Sequence, residues 1–201
     1  MKCVTEEKYL GMRISATVSE SITATVNSRI GLATRGIYEI RAIIEDSRAD
    51  SLGAIQVGLN LWNLKILPMV LWGCETWYNI PKITMKKLEN LNNQFLKSLL
   101  GVGKNGCPIP SLYLATASMK ISNQILLKKL LFYHHIATLP NESLAGEFFS
   151  IQNNDAKYKS IVMEFKEILQ EWKVENVPVY TKQQWSKFMK QKINSKNKDD
   201  L

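Results

Sequence analysis

Apolar residues recur every three or four positions along most of this chain, which is the period of an amphipathic helix. The clearest case is DAKYKSIVMEFKEILQEWKV at residues 155–174, where apolar and charged side chains fall on opposite faces. Similar stripes predict further helices at residues 23–48, 51–77, 84–100, 111–118, about 120–138 and 181–193. The pattern therefore predicts a mostly α protein built as a helical bundle.

Capping and helix-breaking residues set the predicted boundaries of these helices. Ser19 or Ser21 is positioned to cap the first helix, and Thr84 to cap the third. Pro68 predicts a kink within the second helix, since proline removes a backbone donor. Gly101 predicts the end of the third helix.

The first residues have a different pattern, which favours a β-strand. In EEKYLGMRIS, strand-forming side chains at Tyr9, Leu10, Met12 and Ile14 surround Gly11. Glycine inside a strand often marks a close approach of the backbone to another group. A short N-terminal strand or hairpin is therefore expected to precede the helical bundle.

Changes in composition along the chain suggest three regions. Residues 1–18 hold the strand, residues 19–150 the main helical region, and residues 151–201 a C-terminal pair of helices with a polar tail. The polar segment SIQNN at residues 150–154 is a candidate boundary. Residues 194–201 are polar enough that we expect them to fray.

The formal net charge is +8, and its distribution favours one positive surface over a basic tail. Residues 51–140 carry nine Lys/Arg and two Asp/Glu, whereas residues 1–50 carry seven of each. The three cysteines are odd in number and widely spaced, which argues against a secreted disulfide framework. We therefore expect an intracellular protein, nuclear or cytoplasmic. The segment around residues 52–78 is rich in apolar residues. Its longest uncharged run, residues 51–64, is too short to cross a bilayer, so no membrane anchor is expected.

No group of residues predicts catalysis or metal binding. GVGKNG at residues 101–106 has the letters of a dinucleotide fingerprint, but it follows a helix instead of a strand and is interpreted as a helix stop. His134 and His135 are adjacent, so on a helix they cannot face one metal together. The pair Asp199 and Asp200 lies in a polar tail without a rigid frame.

Five arginines, all within the first 48 residues, leave two interpretations open. They are suited to contact phosphate groups, and Arg41 and Arg48 share a helix face. Alternatively, Glu39, Glu45 and neighbouring acids pair with them on a solvated surface.

Several stretches, in order, resemble the reverse transcriptases of non-LTR retrotransposons (LINE and jockey-like elements) just after the catalytic palm. EKYLGMRIS resembles their primer-grip segment, and LWNLKILPMVLWGCETWYNIP resembles the thumb segment that follows. LENLNNQFLKSLLGV and CPIPSLYLATASMKISNQILLKKLLFYHHIATLP are similar to the next helical regions. The resemblance covers roughly residues 6–149.

The resemblance implies a thumb that grips an RNA–DNA or RNA template–primer duplex through its backbone. Tyr9, Leu10 and Gly11 would then lie near the primer end. The side chains implied as phosphate contacts are Lys8, Arg29, Arg35 and Lys65.

The polymerase motifs of that family lie before this segment, so the resemblance implies no catalytic residue and no metal ligand here. The chain is expected to be an inactive fragment, with Mg²⁺ belonging to a missing palm and a palm-containing chain as a candidate partner. Two alternatives remain: a helical protein-interaction module derived from a retroelement, and a relic without function.

Overall fold

The computed structural model describes residues 7–46, 51–103, 106–140, 142–154, 160–174 and 180–199. Helices make up most of these residues, and a short antiparallel hairpin precedes them, which confirms the predicted fold class. The elements, in chain order, are β1 (Glu7–Tyr9), β2 (Met12–Ile14), α1 (Val18–Asp46), α2 (Ser51–Leu61), a π-helical turn (Trp62–Ile66), α3 (Leu67–Val70), a 3₁₀ turn (Cys74–Thr76), α4 (Lys82–Leu99), α5 (Ile109–Thr116), α6 (Ile121–Ala137), α7 (Leu144–Asn154), α8 (Ile161–Glu171) and α9 (Lys182–Asp199).

The opening segment folds as a hairpin with a two-residue turn. Its register pairs Tyr9 with Met12 and Lys8 with Arg13, so Leu10 and Gly11 form the turn. Their φ angles are +46° and +81°, and two successive left-handed residues are characteristic of a type I′ turn. Gly11 is therefore required by the turn of the hairpin. A single strand would not require glycine at this position.

Helix α1 begins earlier than predicted, and its cap is Thr17, not Ser19 or Ser21. The Thr17 hydroxyl accepts a hydrogen bond from the Glu20 amide, and the Glu20 carboxylate accepts one from the Thr17 amide, both at 3.2 Å. This reciprocal pair is a capping box, which satisfies two amides that no helical carbonyl reaches. Ser21 instead accepts a hydrogen bond from the Ser15 amide at 2.9 Å.

The second predicted helix is interrupted by the π-helical turn before Pro68. An extra residue in this turn accommodates the proline, which lacks an amide donor. Trp62 on the turn is buried and stacks on Phe95 of α4, with ring centroids 4.2 Å apart. The helix ends at Val70, so the predicted continuation to Trp77 is wrong: Gly73, with φ +69°, turns the chain first.

Helix α4 starts at Lys82, with Pro81 at the N-cap position, so the predicted Thr84 cap is wrong. Thr84 lies buried in the first turn, where its hydroxyl is 3.0 Å from that of Thr23 on α1. The predicted end is confirmed: Gly101 has φ +65°, and the Val102 amide bonds back to the Lys97 carbonyl at 3.0 Å.

Contacts divide the chain into two compact units, Met1–Gly73 with Asn79–Ser122, and Cys74–Tyr78 with Asn123–Leu201. The first unit is built on α1, whose buried face packs against α3, α4 and the π-helical turn. The division differs from the candidate boundary at residues 150–154, because SIQNN forms the second half of α7.

The second unit has its own core, formed by side chains of α6, α8 and α9. Trp185 is fully buried in it and donates from Nε1 to the Leu130 carbonyl at 2.9 Å. The buried Lys129 ammonium donates to the Glu164 carboxylate at 2.6 Å. Helix α9 continues to Asp199, beyond the point where fraying was expected.

Candidate nucleic-acid interface

A cleft of about 380 Å³ lies in the first unit, where the hairpin and α1 meet the end of α3. We call it the hairpin cleft. Its cationic side chains are Lys8, Arg13 and Arg29, and among the described residues that line it none is a carboxylate. The other lining residues are Gly11, Thr25, Ser28, Leu32, Pro68, Met69 and Trp72. The cleft therefore combines positive charge with one large aromatic surface.

Arg29 fixes the geometry of the hairpin cleft from inside. Its Nη2 donates to the Gly11 carbonyl at 3.0 Å, and its Nη1 donates to the carbonyls of Val70 at 3.1 Å and Trp72 at 2.5 Å. The residue is only 6% exposed. One guanidinium thus joins the turn of the hairpin to the end of α3, where helical carbonyls lack amide partners.

The position of Arg29 does not suit the phosphate contact implied by the resemblance. A phosphate contact needs donors that face solvent, whereas three described hydrogen bonds of this guanidinium go to backbone carbonyls inside the fold. Arg29 is a positioning residue for the cleft.

The hairpin is also tied to α1 along its second strand. The Arg13 amide donates to the Thr25 hydroxyl at 2.8 Å, so the outer edge of β2 is bonded to the helix. Residues of β1, by contrast, are all exposed. The hairpin consequently presents β1 and its turn to solvent, while β2 anchors it.

The tip of the hairpin is strained and exposed. Leu10 has φ +46°, which a branched side chain seldom adopts and which costs on the order of 1 kcal/mol. Its side chain is 76% exposed, and that of Tyr9 is 64% exposed. A hairpin stabilised only by its own turn would place glycine, asparagine or aspartate at Leu10.

Gly11 lies beside the ring of Trp72. A β-carbon added at Gly11 would lie 3.9 Å from the Trp72 ring, so the tryptophan borders the turn. Trp72 is itself 65% exposed, which is unusual for the largest apolar side chain. The turn and the indole together form the open wall of the cleft.

The other two predicted contacts, Arg35 and Lys65, lie outside the cleft lining. Lys65 is on the π-helical turn, where its ammonium pairs with the Glu39 carboxylate at 3.2 Å. Both side chains of this pair are largely exposed, so the pair contributes little to stability. Arg35 is exposed on α1.

The structure thus brings Lys8, Gly11 and Arg29 to one cleft, with Tyr9 and Leu10 at its edge. Two further residues line the cleft: Arg13, one of the five arginines for which two interpretations were left open, and Trp72, which was not predicted as a contact. The alternation of the hairpin offered a signal for Arg13, which pairs with Lys8 across the strands. Nothing in the sequence pattern pointed to Trp72.

The remaining candidate chemistry has structural explanations. His134 is buried, lies 2.7 Å from the Tyr180 carbonyl through Nε2, and stacks on Trp185. Gly101 ends α4, while residues 104–105 of GVGKNG, like Asp200, lie outside the described residues. Across the described ranges, no cluster of three or more histidine, cysteine or acidic residues is placed to hold a metal ion.

Comparison of the chain with protein-family models, with curated proteins and with solved structures gave no match. The fold and the cleft therefore define a class no finer than a mostly α protein with an N-terminal hairpin. In the part of the chain that the structure describes, no helix has the length and apolar character needed to cross a membrane.

Proposed function

We propose that the first unit is a thumb-like nucleic-acid-binding module of a retroelement reverse transcriptase, which grips an RNA–DNA template–primer duplex through its backbone. The observation that carries this proposal is the hairpin cleft, where Lys8 and Arg13 lie beside the exposed Trp72 and the described lining residues include no carboxylate. The resemblance of EKYLGMRIS and of residues 61–81 to the primer-grip and thumb segments supports the same assignment.

The proposed grip uses Lys8 and Arg13 as phosphate contacts. The two residues pair across the strands, so their positive charges lie close together on one ribbon. Tyr9 and Leu10, exposed at the tip, lie against the sugar face of the duplex. Contacts of this kind bind a duplex of any sequence. Their strength falls as salt rises, because the counterions that binding releases from the duplex gain less entropy in concentrated salt.

The proposal assigns no catalytic step to this chain. Phosphoryl transfer onto a primer needs metal-binding carboxylates, and the resemblance places none of them on residues of this chain. Mg²⁺ would be held by the palm, which a partner chain or further sequence would supply. The hairpin is the part of the first unit that would meet it.

A second candidate function, a helical protein-interaction module, is favoured by the apolar part of the same surface. Leu10, Leu32 and Trp72 are 76%, 50% and 65% exposed, and such groupings often mark a protein interface. The two functions differ in the role they give to charge. A protein partner would need the apolar side chains, whereas a duplex would need Lys8 and Arg13.

The proposal is tested with Lys8→Gln and Arg13→Gln variants of the full chain, binding a labelled RNA–DNA hybrid. Each variant should weaken binding equally for unrelated sequences and lower the salt dependence by roughly one phosphate contact. Lys187→Gln and Lys190→Gln on α9, both exposed, are matched controls and should change neither quantity. Unchanged binding by both cleft variants would favour the protein-interaction function.

A further inference from the structure

A second and larger groove, of about 900 Å³, runs between α1 and α4 in the first unit. We call it the amide groove. The lining side chains that can bind a ligand through charge, hydrogen bonds or stacking are Tyr38, Arg41, Asn90, Asn93, Gln94 and Lys97. Within the described part of the chain, no carboxylate is among the side chains that line it. This groove shares no lining residue with the hairpin cleft.

The register of the two helices gives the amide groove a direction. Thr23 meets Thr84, and Asn27 accepts from the Lys87 ammonium at 2.8 Å, so α1 and α4 run parallel. Arg41 and Lys97 therefore lie toward the same end of the groove. Arg41 also lines a smaller adjoining pocket, together with Glu45.

The middle of the groove carries hydrogen-bonding groups on one face of α4. Asn90, Asn93, Gln94 and Lys97 follow the spacing of three and four residues that aligns side chains along a helix. The Tyr113 hydroxyl lies 2.8 Å from Asn93 Oδ1 and 3.2 Å from the Glu89 carboxylate, so Asn93 belongs to a hydrogen-bonded cluster with both residues. Carboxamides present a donor and an acceptor together, as the edges of nucleic-acid bases do.

Tyr38 adds an aromatic surface on the facing helix. It is 63% exposed, although it occupies a groove wall, and its ring is available for stacking. Cations at one end, amides in the middle and an exposed ring opposite are the elements by which proteins bind unpaired nucleotides. A duplex would not fit this pattern, because its base faces are covered by stacking and leave none for Tyr38.

We infer that the amide groove binds a short single-stranded nucleic-acid segment, with Arg41 and Lys97 on phosphates, Tyr38 stacked on a base and the amides of α4 on base edges. This site is separate from the duplex grip proposed above and does not depend on it. The lining also includes the apolar side chains of Ile37, Val102 and Ile109, so a protein segment is the alternative occupant that the experiment below distinguishes.

The inference is tested by fluorescence anisotropy of the full chain with labelled RNA and DNA single strands of about ten nucleotides. Wild-type protein should bind at least one of them at about 50 mM salt, where phosphate contacts are strong. Tyr38→Ala should weaken binding about tenfold, the usual size of a lost stacking contact, while Tyr38→Phe should bind within about twofold of wild type. RNA and DNA compared side by side identify the sugar that the groove accepts.

Controls separate this site from the hairpin cleft and from general damage. Phe148→Ala on α7 removes an equally exposed ring elsewhere and should leave single-strand affinity unchanged. Tyr38→Ala should keep wild-type affinity for the RNA–DNA hybrid, whereas Lys8→Gln should weaken hybrid binding alone. Absence of single-strand binding by folded wild-type protein overturns the inference, and so does an equal loss of hybrid and single-strand binding in Tyr38→Ala.

Discussion

Arg29 is the residue on which the geometry of the hairpin cleft depends most. It joins three backbone carbonyls from the turn and from the end of α3, and these two segments have no covalent connection nearby. Arginine suits this task because its planar guanidinium offers several donors in fixed directions, which lysine cannot reproduce.

Replacement of Arg29 should therefore destabilise the first unit. Arg29→Met keeps much of the apolar stem but leaves three carbonyls without this donor, so we expect a loss of about 2 kcal/mol in the free energy of unfolding. Arg29→Lys should recover only part of it. Urea denaturation measures the change, with exposed Arg35→Met on the same helix as control, expected within about 0.5 kcal/mol of wild type. Equal effects of the two Met variants would contradict the positioning role.

Leu10 carries a strain that the fold does not need. Leu10→Asn places a residue tolerant of positive φ in the turn, so we expect a gain of about 0.5 to 1 kcal/mol in stability. Leu144→Asn, at another exposed leucine with an ordinary helical backbone, is the control and should bring no gain. Weaker hybrid binding by the more stable Leu10→Asn variant would link the strain to function. A stability loss in Leu10→Asn would show that the leucine side chain holds the turn.

Tyr113 should make the free energy of unfolding depend on pH in the alkaline range. Burial raises the pKa of Tyr113 well above the ordinary value of 10.0. The unfolded chain releases this proton near pH 10 while the folded chain keeps it, so stability is full below that pH and falls above it. Urea unfolding at rising pH should show a steeper alkaline loss in wild type than in Tyr113→Phe, where lysine titration is common to both. Parallel pH profiles would count against a buried, protonated hydroxyl.

At the scale of elements, the spacing of apolar residues predicts most of the helices, but it does not always predict where they begin and end. The stripes of α4, α6 and α8 indicate helices that the structure contains, and Gly101 marks a helix end. The capping box at Thr17 is present in the sequence as Thr-x-x-Glu, but Ser19 and Ser21 lie within four residues of it and are also residue types that cap helices. The π-helical turn had no signal beyond Pro68, because its extra residue depends on how Trp62 packs against Phe95.

Loss of the α1 cap should have a cost of its own. Thr17→Ala removes the oxygen that accepts from the Glu20 amide, and we expect a loss of about 1 kcal/mol. Ser19 is one of the two serines that the sequence offers as a cap, and Ser19→Ala should change stability by less than about 0.5 kcal/mol. Thermal or urea unfolding of both variants measures the difference. A larger effect at Ser19 than at Thr17 would mean that α1 begins later than its capping box indicates.

At the scale of the molecule, the sequence predicts the mostly α class and the N-terminal hairpin but neither the unit division nor the cleft. The division near residues 122–123 depends on which helices share a core, and α6 carries apolar side chains into the second unit without any break in composition. The cleft brings Lys8, Arg29 and Trp72 together from segments far apart in the chain. Helical periodicity describes one element at a time, so it cannot predict which residues from distant segments contact one cleft.

The proposed grip on the phosphates of a nucleic-acid duplex can be measured by a salt series with a labelled RNA–DNA hybrid. From about 50 to 200 mM salt, the logarithm of the association constant should fall linearly with the logarithm of salt concentration. Two hybrids of unrelated sequence should give the same slope. Absence of binding at about 50 mM salt, by protein whose circular dichroism shows folded helices, would contradict the claim.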